Sequence, residues 1–241
     1  MGVWRMGKRN ALVKKLQAVE ALGQTSVIAV DKTGTITKNE LVIHKVYVDG
    51  KMFNIEGVGY DPKGNVLFDG RLVDAANHPE LLLAGKIASL CANARVMYSE
   101  EEKLWRIAGD PTEAAMFVLS QKLGFHKESL EKESSVIDEI PFDYKLKYHA
   151  VLYNAGNKNF LAAAGAPEAI LELSKTIWLD GKRQELTPAD RKNFESVFYQ
   201  MSREGLRVVA FAINPAAGKN LEPEKIKDLA FGGFYGMEDA I

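Results

Sequence analysis

Apolar residues Leu12, Val13, Leu16, Val19 and Leu22 recur at helical spacing, which predicts a helix over Asn10–Leu22 with Gly23 as its C-terminal cap. Ser26–Val30 is a short β-branched run ending at Asp31, the pattern of a strand that stops at a polar loop. Leu41–Val48 alternates loosely, Asp49-Gly50 is a hairpin turn signal, and Lys51–Ile55 returns as the partner strand. Gly57 to Gly70 is rich in Gly, Asp and Pro and predicts an exposed loop. Asn77 then reads as an N-cap, with Pro79 in the first turn of a helix through Leu90.

Asp110-Pro111-Thr112-Glu113 opens a second helix through Leu119. Strand patterns follow at Val136–Phe142, Tyr148–Tyr153 and Phe160–Ala163. One helix begins near Pro167; another takes Thr187 as cap and ends at Gly205. Strands at Leu206–Ile213 and Leu229–Tyr235 close the chain. There is no internal repeat. The mixture predicts an antiparallel-rich α+β domain inserted after one βα-like entry.

Composition narrows the classes. The 241 residues carry 31 Lys+Arg against 32 Asp+Glu, so a broad basic face for nucleic acid is not expected. Cys91 is the single cysteine, which excludes an intrachain disulfide and a cysteine metal cluster. His44, His78, His126 and His149 are too scattered to suggest a metal site. The longest apolar runs, Ala114–Leu119 and Val208–Ile213, fall far short of the ~20 residues of a spanning helix, and Met1–Met6 has no signal-peptide core. The chain is expected to be soluble.

The strongest local chemistry is Asp31-Lys32-Thr33-Gly34-Thr35-Ile36-Thr37 after Val27-Ile28-Ala29-Val30. A carboxylate at a strand end can attack a phosphoryl group and form an acyl phosphate. Gly34 lets the backbone turn closely enough for its N–H groups to face phosphate oxygens. Mg²⁺ would bridge the two anions, which otherwise repel on approach. A polar turn ending a strand is the plainer explanation for a lone Asp-Lys-Thr, and the full run outweighs it.

This run resembles the phosphorylation signature of the P-type cation-transporting ATPases. Met6–Val13 with Ala18–Gly23 resembles that family's approach from the membrane stalk. Gly109-Asp110-Pro111-Thr112-Glu113-Ala114-Ala115, Pro141-Phe142-Asp143 and Gly165-Ala166-Pro167-Glu168 resemble its nucleotide-domain motifs. Gly205–Ala210 and Gly236-Met237-Glu238-Asp239 complete the order over nearly the whole chain.

The resemblance implies an α+β / α/β chain: an antiparallel-rich nucleotide-binding domain inserted into a partial Rossmann-like phosphorylation domain of haloacid dehalogenase type. Residues 1–38 would begin the phosphorylation domain, 39–235 would form the nucleotide-binding domain, and 236–241 would return toward the first. It implies that ATP phosphorylates Asp31, with Mg²⁺ held at Asp31 and Thr33. It also implies that the aspartyl-phosphate drives transport of a cation in a full-length pump. The transmembrane and actuator domains of that pump are not in this sequence, so the chain would be a soluble cytoplasmic portion of a membrane protein with weak or no turnover alone.

Residue by residue, Phe142 matches the aromatic that stacks on adenine, against a plain core role. Asp110 and Glu113 match acidic residues near the base, or are a helix N-cap and its N3 partner. Lys147 matches a pocket lysine, Arg207 a phosphate or ribose contact, Gly165 and Thr33 further nucleotide contacts, and Asp239 a hinge acid. There are departures: Ala164 stands where a lysine is usual, Tyr144 where relatives are polar or basic, and Ala240 where proline is usual. A lysine at position 164 is therefore expected to strengthen ATP binding. Two other functions remain open. A soluble dehalogenase-type phosphatase would need an acid at Thr33 for proton transfer; a non-catalytic nucleotide-binding module would not turn over.

Overall fold

A computed structural model describes residues 2–30, 40–156, 158–215 and 218–239. It separates into two compact units, Met1–Lys38 and Asn39–Ile241. Asp31 and Thr33 lie outside the described residues.

The first unit contains α1 (Gly2–Gly7) and α2 (Leu16–Gly23). The helix expected from Asn10 starts only at Leu16, because Lys15 at its N-cap is extended and supplies no capping side chain. Gly23 is the last helical residue, and Gln24 follows as the C-cap. Ser26–Val30 is not a strand: Val27, Ile28 and Val30 are exposed, without a ladder partner among the described residues. β-Branched composition favours a strand only where neighbouring strands supply pairing and packing.

The second unit opens with the hairpin of β1 (Leu41–Val48) and β2 (Lys51–Ile55), as the pattern predicts. Both turn residues take positive φ, Asp49 at 55° and Gly50 at 73°, which suits a two-residue hairpin loop. The alternation in β1 is loose because a bulge lies between Ile43 and Lys45 where it pairs with the last strand. The segment from Gly57 to Gly70 is more than an exposed loop. Tyr60 is buried, and β3 (Val66–Phe68) pairs with β2 and with β4 (Arg71–Val73), extending the sheet. Burial of Val66 and pairing outweigh the Gly and Pro content.

Helix α3 (Pro79–Leu90) takes His78 as N-cap, one residue later than expected, since Asn77 closes a short 3₁₀ turn capped by the Asp74 side chain. A separate two-stranded sheet, β5 (Arg95–Ser99) with β6 (Leu104–Ala108), packs Val96, Trp105 and Ile107 against Tyr60, Ala94, Ala114 and Val118. Then come α4 (Pro111–Lys122), α5 (Lys127–Glu133) and the meander β7 (Ser134–Ile140), β8 (Tyr148–Ala155) and β9 (Lys158–Gly165). Strand β7 stops two residues short of Phe142 because Pro141 has no N–H to continue a ladder. The chain ends through α6 (Pro167–Leu173), the hairpin β10 (Ser174–Leu179) and β11 (Lys182–Glu185), α7 (Pro188–Arg203), β12 (Arg207–Asn214) and β13 (Leu229–Asp239). Thr187 and Asp190 form a reciprocal capping box at the start of α7.

Eleven strands form one sheet among the described residues, in the order β4-β3-β2-β1-β13-β12-β9-β8-β7, with β10 and β11 attached beside the start of β13. Every pairing is antiparallel except β10 with β13. One face buries Val46, Tyr153, Phe211 and Tyr235 under α3 and α4. The other buries Leu152, Phe231 and Phe234 under α6 and α7. The result is a helix–sheet–helix sandwich. Tyr235 fixes one helix layer to the sheet: its hydroxyl donates to the Ala84 carbonyl of α3 at 2.6 Å.

Candidate functional site

The α3/α4 face of the sheet carries the polar groups of interest at its β7–β8 end. Helix α4 begins at Asp110, whose Oδ1 accepts from Thr112 N at 2.7 Å and Glu113 N at 3.3 Å. Asp110 is thus a working N-cap, and its carboxylate already meets the donors of the first turn. Asp110→Ala is expected to cost about 1 kcal/mol, a fall of about 2–4 °C in Tm for a chain of this size; thermal unfolding followed by circular dichroism checks it.

Glu113 does not complete a capping box. Its Oε2 accepts instead from the Asn93 amide at 2.9 Å, beyond the end of α3. Its Oε1 lies 3.9 Å from His149 Nδ1. His149 comes from β8 and is 3% exposed. Its Nε2 is 2.9 Å from Oε1 of Glu139 on β7. That carboxylate sits off the N–H axis, so neither ring nitrogen has an aligned hydrogen-bond partner. Asn93 Nδ2 donates to the same Glu139 oxygen, and Lys127 of α5 donates to the Ala92 carbonyl and reaches Asn93 Oδ1 at 3.4 Å. Cys91 lies close by, its thiol pushed far up first by burial and then by Glu139 and Glu113.

Three residues after Glu139, the chain turns. Asp143 Oδ1 accepts from Lys145 N at 2.8 Å and Leu146 N at 2.9 Å, an Asx turn. These two amides hold the Asp143 carboxyl below the usual range. The turn leaves Phe142 47% exposed, with its ring edge-on to Tyr144 at 5.5 Å and 85°. Phe142 is therefore not a core residue. Lys147 ends the turn at φ 61°, its N–H donating to the Asp143 carbonyl at 2.6 Å. Its ammonium pairs with Glu168 at 3.1 Å on the surface, where such pairs contribute at most about 1 kcal/mol. The backbone N–H of Glu168 and the Lys147 ammonium lower the Glu168 pKa.

Gly165 lies where two strands converge. A Cβ there would stand 2.3 Å from the Lys147 carbonyl oxygen and 2.6 Å from Tyr148 Cα. Ala164 is 3% exposed and pairs with His149 on one side and Phe211 on the other. A lysine there would enter the buried face beside His149, not an open rim. Arg207 is exposed at the start of β12, four residues along from Phe211, or about 13 Å at strand rise. Strand alternation places it on the same sheet face as Phe211. Asp239 ends β13 opposite Leu41; with Asp110 it acts electrostatically on the buried Tyr60 hydroxyl.

The structure therefore joins Glu113 to His149 and Glu139, and Lys147 to Gly165. Asp110 serves its helix, Arg207 stands further along the sheet, and Asp31 and Thr33 lie outside the described residues. Sequence reasoning missed Glu139 and His149. The signal for His149 was its place in β8, two residues before Val151 and four before Tyr153, on the core-facing side. Among the described residues, no group of three or more His, Cys, Asp and Glu side chains could hold a metal ion, and no helix is long and apolar enough to cross a membrane.

Residues 81–241 match the family described as P-type ATPase, cytoplasmic domain N. The chain belongs to the P-type ATPases. It is 34% identical over 242 residues to a calcium-transporting ATPase of Bacillus subtilis, and 36% over 258 residues to the cation-transporting ATPase pma1 of Synechocystis. It is also 33% identical over 285 residues to an endoplasmic reticulum-type calcium-transporting ATPase 4 of Arabidopsis thaliana. Each alignment covers 99% of this P-type ATPase chain but only 26–27% of the relative, so the chain spans about a quarter of their length.

Proposed function

We propose that this chain is the ATP-binding region of a cation-transporting P-type ATPase and also carries its phosphate acceptor, Asp31. The observation that carries the reading is Phe142: half-exposed, fixed by the Asp143 turn, and three residues from Glu139, which meets the buried His149. An aromatic held out of the core on a rigid turn is suited to stacking on a planar base. Glu113, whose side chain is partly exposed, offers an acceptor for the base edge. Arg207, further along the same sheet face, would contact the ribose or phosphates.

In the chemical step, an Asp31 carboxylate oxygen attacks the γ-phosphorus, the bond to the β-phosphate oxygen breaks, and ADP leaves. Mg²⁺ at Asp31 and Thr33 would offset the repulsion between carboxylate and triphosphate. Thr33 supplies no general acid or base, so the acyl phosphate persists, which separates this reading from a phosphatase. Residues before about Lys38, and those from Gly236, would belong to a phosphorylation domain of dehalogenase type into which the sheet domain is inserted. The acyl phosphate would then drive cation movement through transmembrane and actuator domains of the whole pump, with this region on the cytoplasmic side.

Phe142→Ala tests the reading. Base–aromatic stacking of ~1–3 kcal/mol makes ATP binding weaker by about ten- to a hundred-fold. Because the ring is half-exposed, the Tm should stay within about 1–2 °C of wild type, as small surface changes do. Calorimetric titration of ATP into both proteins decides it; equal affinities would remove Phe142 from the site.

A further inference from the structure

A cavity of about 570 Å³ lies between the first two turns of α3 and the tips of the β1–β2 and β10–β11 hairpins. Small-molecule clefts span about 300–1,000 Å³, so the volume suits a ligand of that kind. None of its lining residues belongs to the Phe142 turn or to the group around Glu113, His149 and Glu139. The two hairpin tips are tied together, because the Asp180 N–H donates to Asp49 Oδ1 at 2.9 Å. Both tips are Asp-Gly turns at positive φ, Asp180 at 50° and Gly181 at 71° in the second, so turn geometry places both acids at the rim.

The walls are apolar and the rim is charged. Leu82 and Leu83 of α3, Phe125 beyond α4 and Trp178 of β10 are only partly buried and line the space. Three carboxylates, Asp49, Glu80 and Asp180, stand there against two ammonium groups, Lys51 and Lys86. Both cations are already engaged. Lys51 pairs with Glu80 at 2.8 Å, and Lys86 lies over the Tyr153 ring, 5.3 Å from its centroid. The acids at the tips are less well matched. Asp49 Oδ2 is 3.6 Å from Lys51 Nζ, although its side chain is only 7% exposed, and Asp180 has no ion pair among the described residues.

We propose that this cavity binds a small organic cation: a protonated primary amine carried on a planar aromatic body. The body packs against Trp178 and Phe125, with Leu82 and Leu83 completing the apolar wall. The ammonium sits at the hairpin tips and donates to Asp49 and Asp180, the two acids that lack a close cation. A carboxylate on the same body would meet those acids instead, and like charges brought together are disfavoured. The inference does not use the nucleotide reading. The cavity follows the start of α3, whereas the Asn93 amide that holds Glu113 lies beyond the other end of that helix.

Tryptamine and indole-3-propionate are matched probes, with the same ring and two-carbon arm but an ammonium in one and a carboxylate in the other. In titrations of the ¹⁵N-labelled 241-residue chain, tryptamine should bind with a Kd on the order of 1 mM. Indole-3-propionate should bind at least about tenfold more weakly. Asp49→Asn and Asp180→Asn remove charge while keeping the turns, because Asn-Gly suits a two-residue hairpin loop as Asp-Gly does. The amide oxygen introduced at position 49 can still accept from the Asp180 N–H. The double variant should bind tryptamine about five- to tenfold more weakly, the difference between a charge-assisted and a neutral hydrogen bond. Equal or tighter binding of the propionate, or unchanged tryptamine affinity in the double variant, overturns the proposal.

A second measurement needs no variant at the site. Tryptamine should move the indole N–H resonance of Trp178, assigned by triple-resonance spectra, and leave those of Trp4 and Trp105 in place. An unmoved Trp178 resonance with tryptamine bound places the amine elsewhere and overturns the proposal, as does the absence of binding up to about 10 mM. Phe142→Ala should keep tryptamine affinity within about twofold, since distant sites act independently. Loss of tryptamine binding in that variant would seat the amine on the Phe142 turn and defeat the inference, while the ATP titrations of wild type and Phe142→Ala judge the nucleotide reading separately.

Discussion

Asp31→Asn is expected to abolish the acid-stable phosphorylated intermediate in the full-length pump while leaving ATP binding in place. The amide keeps the size and shape of the side chain but has no anionic oxygen to attack the γ-phosphorus, so phosphoryl transfer has no acceptor. The loss should be complete within detection, because in this mechanism no other group of the segment stands in for the carboxylate: Thr33, Thr35 and Thr37 are neutral at working pH. Binding should hold or tighten slightly. Removing one carboxylate from the neighbourhood of a triphosphate relieves a repulsion of about 1 kcal/mol at ~4 Å in water. Labelled ATP followed by acid quench reads the first effect, and calorimetry reads the second. Label retained by the Asn protein would move the acceptor elsewhere. Label and binding lost together would indicate that the fold around Asp31 had failed.

Much of the sheet domain was legible because its signals are local. The β1–β2 hairpin follows from alternation flanking Asp49-Gly50, and α4 and α7 follow from Asp110 and Thr187 as caps followed at once by proline. Three features were not legible, each for a physical reason. Ser26–Val30 has strand composition but no ladder partner among the described residues, and composition does not supply pairing. The Gly57–Gly70 stretch has loop composition, yet it buries Tyr60 and Val66 against residues distant in sequence. The hairpin β5–β6 is mostly exposed on Arg95, Met97, Tyr98, Leu104 and Arg106, and its contacts with Tyr60 and α4 are long-range.

The site divided along the same line. Phe142 and Gly165 could be singled out from short motifs, because each acts through its own turn or strand. Glu113 was singled out but its neighbours were not, since Asn93 reaches it from the turn after α3 and His149 from β8, and Glu139 of β7 meets that histidine. Residues brought together by register leave no spacing in the sequence. The helix-cap explanation held for Asp110 and failed for Glu113, whose carboxylate turns away from the cap toward the end of α3.

Gly165→Ala should give the largest stability loss of the substitutions considered, and should take nucleotide affinity with it. The added Cβ meets the Lys147 carbonyl oxygen at 2.3 Å and Tyr148 Cα at 2.6 Å, and both belong to backbone that no rotamer change can move aside. Strand β8 must therefore shift from β9 at its first residues. That shift strains the bond from the Ala166 N–H to the Lys147 carbonyl, now 2.8 Å. Overpacking of this kind costs about 1–3 kcal/mol, and a lost backbone hydrogen bond adds about 1 kcal/mol. A total of about 3 kcal/mol corresponds to a Tm lower by about 6–12 °C for a chain of this size. The functional effect follows from what hangs on the same point. Lys147 closes the Asp143 turn through its N–H, so displacing its carbonyl side tilts the turn that presents Phe142. His149, two residues further along β8, moves with it. Gly165→Ala should thus lose both stability and ATP affinity, whereas Phe142→Ala loses affinity alone. Amide hydrogen exchange locates the cause: Ala166 should exchange faster in Gly165→Ala and unchanged in Phe142→Ala. A Gly165→Ala protein with wild-type Tm and slow Ala166 exchange would mean that the strands can part there at little cost, and the Phe142 turn would need another anchor.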